Sequence, residues 1–545
     1  MKRRTVITGL AAAAAVPATT ALTAGTAHAS TGSKASASTA ASANRNVSLL
    51  FDRDAYSVLT TSVTTGSGDH TVTYHFYKAL TYVAKPVDAA YQSLNISVPV
   101  SIDGKAVDAS HAPIMLANTM GGYSASSVAA ATGVGANNGG GPPAGGMPTD
   151  ATGATASPSA SNSTGTTPDA GNAAGQGNTA HENNALYALA NGWVVVEPGV
   201  RGRENVTSDG TYYGKAPACI VDLKAAVRYL RFNKHRIPGN TDWIVSSGGS
   251  AGAALSSLLG ASGDSALYHS YLKEIGAADE SDAVFATTAY SPIADLEHSD
   301  MAYEWMFGSL PLQNGSVVDQ TYSTQLRDDF ADYLKSLRLR GVKGYGTLTA
   351  DNYADYMVKV YLEPSATEYL AGLSAEDRAA YLADNTFINW SGGKARFSWD
   401  GFLSHIGSRS KDVPSFDALD LSNRENEEFG DATTNARHFT LYSLREATGD
   451  ATAPLDVDLP KKIKLMNPMY FVGQRNPGRS RHWWLRTGAL DTNTSHPIVL
   501  NLAAGLNSLG DDVNSYLYWD GGHAVNEDAD DMIAWVNRLT GHRLA

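Results

Sequence analysis

Gly248-Gly249-Ser250-Ala251-Gly252 forms a G-x-S-x-G between two contrasting runs. Before it lies the short apolar run Trp243–Ser246, and after it an Ala/Leu-rich stretch to Leu259. The pattern reads as strand, sharp turn and helix. Such a turn lifts a serine hydroxyl above the sheet edge, and glycines on either side tolerate the tight backbone. Ser250 is therefore a candidate nucleophile for acyl transfer. The motif alone is weak, because the chain holds 52 Gly. The flanking strand and helix give it weight; without chemistry it would be a plain Gly/Ser turn.

A serine hydroxyl needs a general base, and the base needs an orienting acid. In sheets of this kind such groups collect beyond the carboxyl ends of strands. Asp491 directly follows the strand-like Trp483–Leu490. His523 follows Tyr516–Trp519, in Trp519-Asp520-Gly521-Gly522-His523. The order Ser, Asp, His is the one expected for this elbow. Among 14 His residues, His482 and His496 are the nearest rivals, one starting a strand and one a helix. Asp511, Asp512 and Asp520 are rival acids, and Asp491 could also serve as a helix N-cap beside Thr492, Thr494 and Ser495. A tetrahedral oxyanion needs two backbone donors. The Ala251 N–H is one candidate. The other is Gly121 or Gly122 in Asn118–Tyr123, a loop after a strand where glycine allows close approach.

The elements that must position these groups can be read in outline. Strand-like runs at 71–76, 94–100 and 112–117 are followed by a tract poor in large apolar residues at 125–180, expected to be a disordered insert dispensable for folding. A helix at 184–190 and a strand at 193–197 come next, then a helix near 223–232 and the strand at 243–246. A further strand lies at 284–290. Helices alternating with buried strands imply a parallel sheet. Residues 296–440 carry helical patterns rich in Tyr and charge and read as an inserted lid. The core resumes at 441–545, with strands at 482–487 and 515–519 and helices at 497–509 and 530–539. The first part of the core is 47–295.

Bulk properties narrow the function classes. The formal net charge of −13 argues against nucleic acid or an anionic membrane as partner. Lys2-Arg3-Arg4, an apolar run and Ala27-His28-Ala29 read as an export signal over 1–29, of twin-arginine type, with a Ser/Ala-rich linker at 30–46. No later run has the ~18 or more apolar residues of a membrane helix. Cys219 is the only cysteine and sits in an amphipathic helical pattern, which suggests a buried thiol.

Several long runs resemble bacterial tannases and their feruloyl-esterase-like relatives, which are α/β-hydrolases. The resemblance is carried by 118–123, Pro198–Gly202, Gly214–Arg231, Gly248–Ser262, Ala289–His298 and Pro414–Asp420, and spans most of 70–540 apart from the low-complexity insert. It implies an α/β-hydrolase fold, with a mostly parallel central sheet flanked by helices and an inserted, largely helical lid. It also implies a Ser250–Asp491–His523 triad and a galloyl ring held between core and lid. Lys411 and Glu425 match the positions that contact ring hydroxyls in such enzymes. A carboxylate can accept from two phenolic hydroxyls, and an ammonium can donate to their oxygens. The third such position is Asn493 where the family pattern has Asp, a neutral group that also donates.

The expectation is a secreted serine esterase of galloyl or related hydroxybenzoyl esters, working through an acyl-enzyme without cofactor or metal. Its partner is a small aromatic ester. Feruloyl esterase or general carboxylesterase is the alternative. A secreted serine peptidase, or a non-catalytic binder on the same fold, is more remote.

Overall fold

A computed structural model describes residues 48–136, 182–342 and 344–544. The expected export signal and linker at 1–46 lie outside the described residues, as does the part of the low-complexity tract at 137–180. Three strands, β1 (Ser57–Thr65), β2 (Gly68–Thr81) and β3 (Ser93–Ile102), lead into β4 (Ile114–Asn118). Next come α1 (Asn184–Ala190), β5 (Val194–Pro198), α2 (Ala218–Phe232), β6 (Ile244–Gly249), α3 (Ala251–Ala261) and β7 (Ala286–Tyr290). The elements of 296–440 that bear on the site are α4 (Leu296–Phe307), α5 (Trp399–Ile406) and α6 (Arg424–Glu428). The chain closes with β8 (His482–Gly488), α7 (His496–Ser508), β9 (Asp512–Tyr518) and α8 (Ala529–Thr540).

The strands form one sheet in the order β1-β2-β3-β5-β4-β6-β7-β8-β9, with the two-residue strand Lys105–Ala106 paired to β3. From β5 onward every neighbouring pair is parallel. β1, β2 and β3 are antiparallel to their neighbours and extend the sheet at one edge. The mixed central sheet with flanking helices is the α/β-hydrolase architecture the sequence implied. β1 escaped the sequence reading because it is mostly Ser and Thr, with little apolar signal.

Side chains alternate across the sheet, as strand geometry requires. Ile114, Leu116, Val194, Val196, Ile244 and Leu485 join the core formed with α2, α3 and α7. Met115, Val195, Val245 and Trp484 face a second core, under α1 and α8. Burial on both faces explains why β5 reads as an unbroken Val run. Helix α3 lies very close to the sheet. A Cβ on Gly260 would fall 2.2 Å from Thr287 Oγ1 and 2.8 Å from Trp483, so glycine sets that approach.

The boundary of the expected disordered tract needs correction. Residues 125–136 pack against the sheet. Ala125, Ser126, Val128, Ala131 and Val134 are buried, Ser126 bridges Val200, and the Val134 N–H donates to the Tyr74 hydroxyl at 3.2 Å. Small side chains that looked unable to form a core are enough to fill the edge left by larger neighbours.

Among the described residues, 296–440 give no strand to the central sheet; their strands form two separate two-stranded sheets. This region is tied down by charge. Arg409 and Glu304 on α4 form a salt bridge with both side chains fully buried. Arg409 Nη1 donates to Glu304 Oε2 at 2.7 Å, and its Nε donates to the Lys411 carbonyl at 2.8 Å. Removing one partner of such a pair leaves the other charge buried and uncompensated, at a cost of about 3–5 kcal/mol. Arg409→Ala is expected to lower unfolding free energy by about that much in urea titrations; a loss below ~1 kcal/mol would contradict the assignment.

Candidate active site

The parallel strands end at one level. Gly249 of β6 pairs with Tyr290 of β7, and Tyr290 with Arg486 of β8. Gly488 of β8 in turn pairs with Tyr518 of β9. Ser250 follows β6 at φ +56°, a backbone conformation that non-glycine residues rarely adopt. It is the N-cap of α3, so its side chain stands at the sheet edge above the helix start.

The structure brings Ser250, His523 and Asp491 together. His523 Nε2 lies 2.9 Å from Ser250 Oγ. His523 Nδ1 lies 3.0 Å from both Asp491 carboxylate oxygens. Asp491 is fully buried. Burial raises its pKa, but the neighbouring His523 and hydrogen bonds such as that from the Asn493 N–H outweigh this and hold the carboxyl below its ordinary range. This geometry can pass a proton from the serine to the imidazole while the acid fixes the ring.

The rivals have other partners. His496 is buried, its Nε2 lies 3.0 Å from the Gly488 carbonyl, and burial lowers its pKa to about 4. His482 pairs with Asp512 at 3.2 Å. Asp511 is bound by Arg479 and Arg481. Asp520 does meet a histidine, but it is His405 of α5 at 2.7 Å, with the Tyr381 hydroxyl on its other oxygen at 2.6 Å. That pair fastens residues of 296–440 to the loop bearing His523.

Ala251 opens α3, where backbone N–H groups have no partner within the helix. The Asn118–Gly122 loop presses against this helix end. Asn118 Nδ2 donates to the Gly252 carbonyl at 3.1 Å, and a Cβ on Gly252 would lie 2.9 Å from the Met120 carbonyl. A Cβ on Gly121 would stand in open space. Gly122, at φ +53°, lies against the Arg424 side chain, and its carbonyl accepts from Arg203 Nε at 2.9 Å.

The segments carrying Lys411 and Asn493 are linked through their neighbours Ser410 and Thr492. The Ser410 hydroxyl donates to the Thr492 carbonyl at 2.5 Å, and so does the Tyr303 hydroxyl at 2.7 Å. The Ser410 and Lys411 N–H groups both donate to Tyr303 at 3.3 Å. Lys411 Nζ sits 4.1 Å from the Phe416 ring centroid. A cavity of ≈ 400 Å³ opens beside it, walled by Ser410, Lys411, Pro414, Ser415, Ser422 and Asn423. Glu425, buried on the first turn of α6, lies one residue from Arg424 at the Gly122 loop. Asp417 anchors this region by accepting from Asn426 Nδ2 at 2.7 Å and the Thr440 N–H at 2.7 Å. Tyr303 and Arg409 carried no sequence signal for these jobs, since Ser410 and Glu304 lie far from them along the chain.

Glu428, on the same helix as Glu425, is buried against Cys219, whose Sγ donates to Glu428 Oε1 at 3.4 Å. Cys219 is a buried free thiol.

A BD-FAE family model matches residues 173–315. No curated protein matches the sequence. Solved structures match along most of the chain. A tannase from Fusobacterium nucleatum shares 31% identity over 90% of this chain and 99% of its own, with a TM-score of 0.72. A tannin acyl hydrolase in complex with ethyl gallate shares 31% over 90% and 99%, at 0.71. One in complex with 3,4-dihydroxybenzoate shares 30% over 90% and 99%, at 0.70.

Burial raises the Glu428 carboxyl from an ordinary 4.5 to about 8. An acid raised on folding contributes stability that is fully present below the unfolded value and lost as pH rises through the folded one. The wild-type protein is therefore expected to lose stability between 4.5 and about 8 through this group. Glu428→Gln should flatten that slope in thermal unfolding midpoints taken across the window. An unchanged slope would show that Glu428 ionises normally.

Proposed function

The chain belongs to the bacterial tannase family of α/β-hydrolases and is a carboxylic ester hydrolase of aromatic esters, and we propose that it cleaves galloyl esters through Ser250, His523 and Asp491. The observation that carries this reading is the continuous Ser250–His523–Asp491 hydrogen-bond chain at the strand ends. Ser250 Oγ attacks the ester carbonyl as His523 takes its proton. The tetrahedral oxyanion is held by the N–H of Ala251 and that of Gly121 or Gly122. Collapse releases the alcohol, protonated by His523, and leaves an acyl-enzyme. Water activated by His523 then frees the acid. Asp491, kept ionised and fixed by its hydrogen bonds, holds the imidazole and stabilises its cation.

The acyl ring lies between core and lid in this reading. Lys411 and Glu425 address its hydroxyls, and the relatives bound to ethyl gallate and 3,4-dihydroxybenzoate support an aromatic acid of this kind. Asn493 sits two residues after Asp491, with its N–H bonded to that carboxylate at 2.9 Å. An amide there offers one acceptor oxygen and no charge, so it should tolerate a ring with fewer hydroxyls or a methoxy group. Feruloyl esters are accordingly the second reading. Residues 296–440 act as the lid, and export by the 1–29 segment places the mature enzyme outside the cell.

The test is hydrolysis of methyl gallate, methyl protocatechuate and methyl ferulate by the purified protein. Gallate is expected to be preferred, with turnover abolished in Ser250→Ala. Glu425→Gln should raise KM for gallate more than for ferulate. Asn493→Asp should shift preference further toward gallate by roughly tenfold, the scale of one hydrogen bond to a charged group. Ferulate preference in the parent would favour the second reading, and no cleavage of any ester would refute both.

A further inference from the structure

Ser291 is the first residue after β7, fully buried and held at φ +51°. Glycine is the residue that adopts this conformation without cost, so a serine there implies a use for its side chain. The turn it belongs to bonds to Ser250 and to residues that flank His523 and Asp491. The Ser250 N–H donates to the Tyr290 carbonyl at 2.9 Å, and the Ile293 N–H donates back to the Ser250 carbonyl at 3.3 Å. On the other side, Ser291 Oγ accepts the Ala524 N–H at 2.9 Å. Ala524 directly follows His523 and is itself at φ +55°. Ser291 Oγ also lies 3.3 Å from Thr487 Oγ1, which donates to Asp491 Oδ2 at 3.4 Å. The Thr494 hydroxyl, beyond Asp491, donates to the Pro292 carbonyl at 3.3 Å.

We propose that Ser291 is a positioning residue that locks the His523 loop to the Asp491 carboxylate, so that base and acid hold one geometry relative to Ser250. This rests on the triad reading above. The hydroxyl has one proton and two lone pairs, which suits it to the task. It accepts from the backbone beside the base and donates to Thr487, whose hydroxyl in turn donates to the acid. Two loops from different strands thus share one buried atom. Ser291 does not act on substrate; it acts through His523 and Asp491.

The test compares Ser291→Ala and Ser291→Gly with the parent on methyl gallate. Turnover is normalised to sites titrated with a fluorophosphonate, which removes any loss of folded protein. Both variants are expected to lose roughly 10- to 100-fold in kcat per titrated site, the scale of a small misplacement of reacting groups, with KM changed by less than about threefold. The Gly variant should unfold at no lower temperature than the Ala variant, since it relieves the backbone, yet be no more active. Full kcat per site in the Gly variant would overturn the proposal, because the backbone alone would then matter. So would kcat within about twofold of the parent in both variants. Failure of Ser250 itself to label in the parent would overturn the triad and, with it, the role of Ser291.

Discussion

The site depends on one constraint, the common level at which the parallel strands β6, β7, β8 and β9 end. Parallel pairing fixes Gly249 beside Tyr290, Tyr290 beside Arg486, and Gly488 beside Tyr518. Residues just past these ends therefore emerge within hydrogen-bond reach of one another although they are far apart in sequence. Sterics at the strand ends enforce the approach. A Cβ on Gly488 would lie 2.1 Å from the Gly521 carbonyl and 2.2 Å from that of Gly522. The turn before His523 can settle against β8 only because that residue is glycine. Non-glycine residues at positive φ recur at the same level, namely Ser250, Ser291, Asp520 and Ala524. Backbone strain of this kind persists where surrounding structure over-determines it, and such places are often functional.

Around this edge residues 296–440 are held by buried charge and aromatic contact. Arg409 reaches Glu304 on α4 and the carbonyls of Lys411 and Asp412. One guanidinium thus shapes the loop that presents Lys411. Asp520 plays a similar part on the other flank, taking His405 and Tyr381 from the same region while His405 stacks on Trp519 with rings 6° from parallel. The Arg409–Glu304 pair adds little net stability over apolar packing, yet losing either partner strands the other charge, so each holds the other in place.

Much of this was legible in the sequence, for identifiable reasons. The elbow, Asp491 and His523 could be placed because each follows a strand with a strong apolar pattern, and chain order then limits the choices. The parallel core was legible in Val194–Val196 and Trp483–Leu485, which are apolar on both faces. β1 was not, because alternating Thr and Ser at a sheet edge look like loop. Residues 125–136 looked unable to pack, yet Val128 and Val134 are enough to bury that stretch against β2 and β5. Asp520 seemed a rival acid, and only the fold shows its histidine to be His405. Ser291, Tyr303 and Arg409 depend on partners far off in the chain, so no periodicity or local motif could assign them.

The most direct test of the central claim is covalent. The full protein would be treated with a fluorophosphonate, then examined by intact mass and peptide mapping, beside His523→Ala under the same conditions. One adduct per chain on the Ser250 peptide, formed far more slowly in the variant, is the expected result. An adduct on another residue, or equal labelling without His523, would contradict a serine activated at this strand edge.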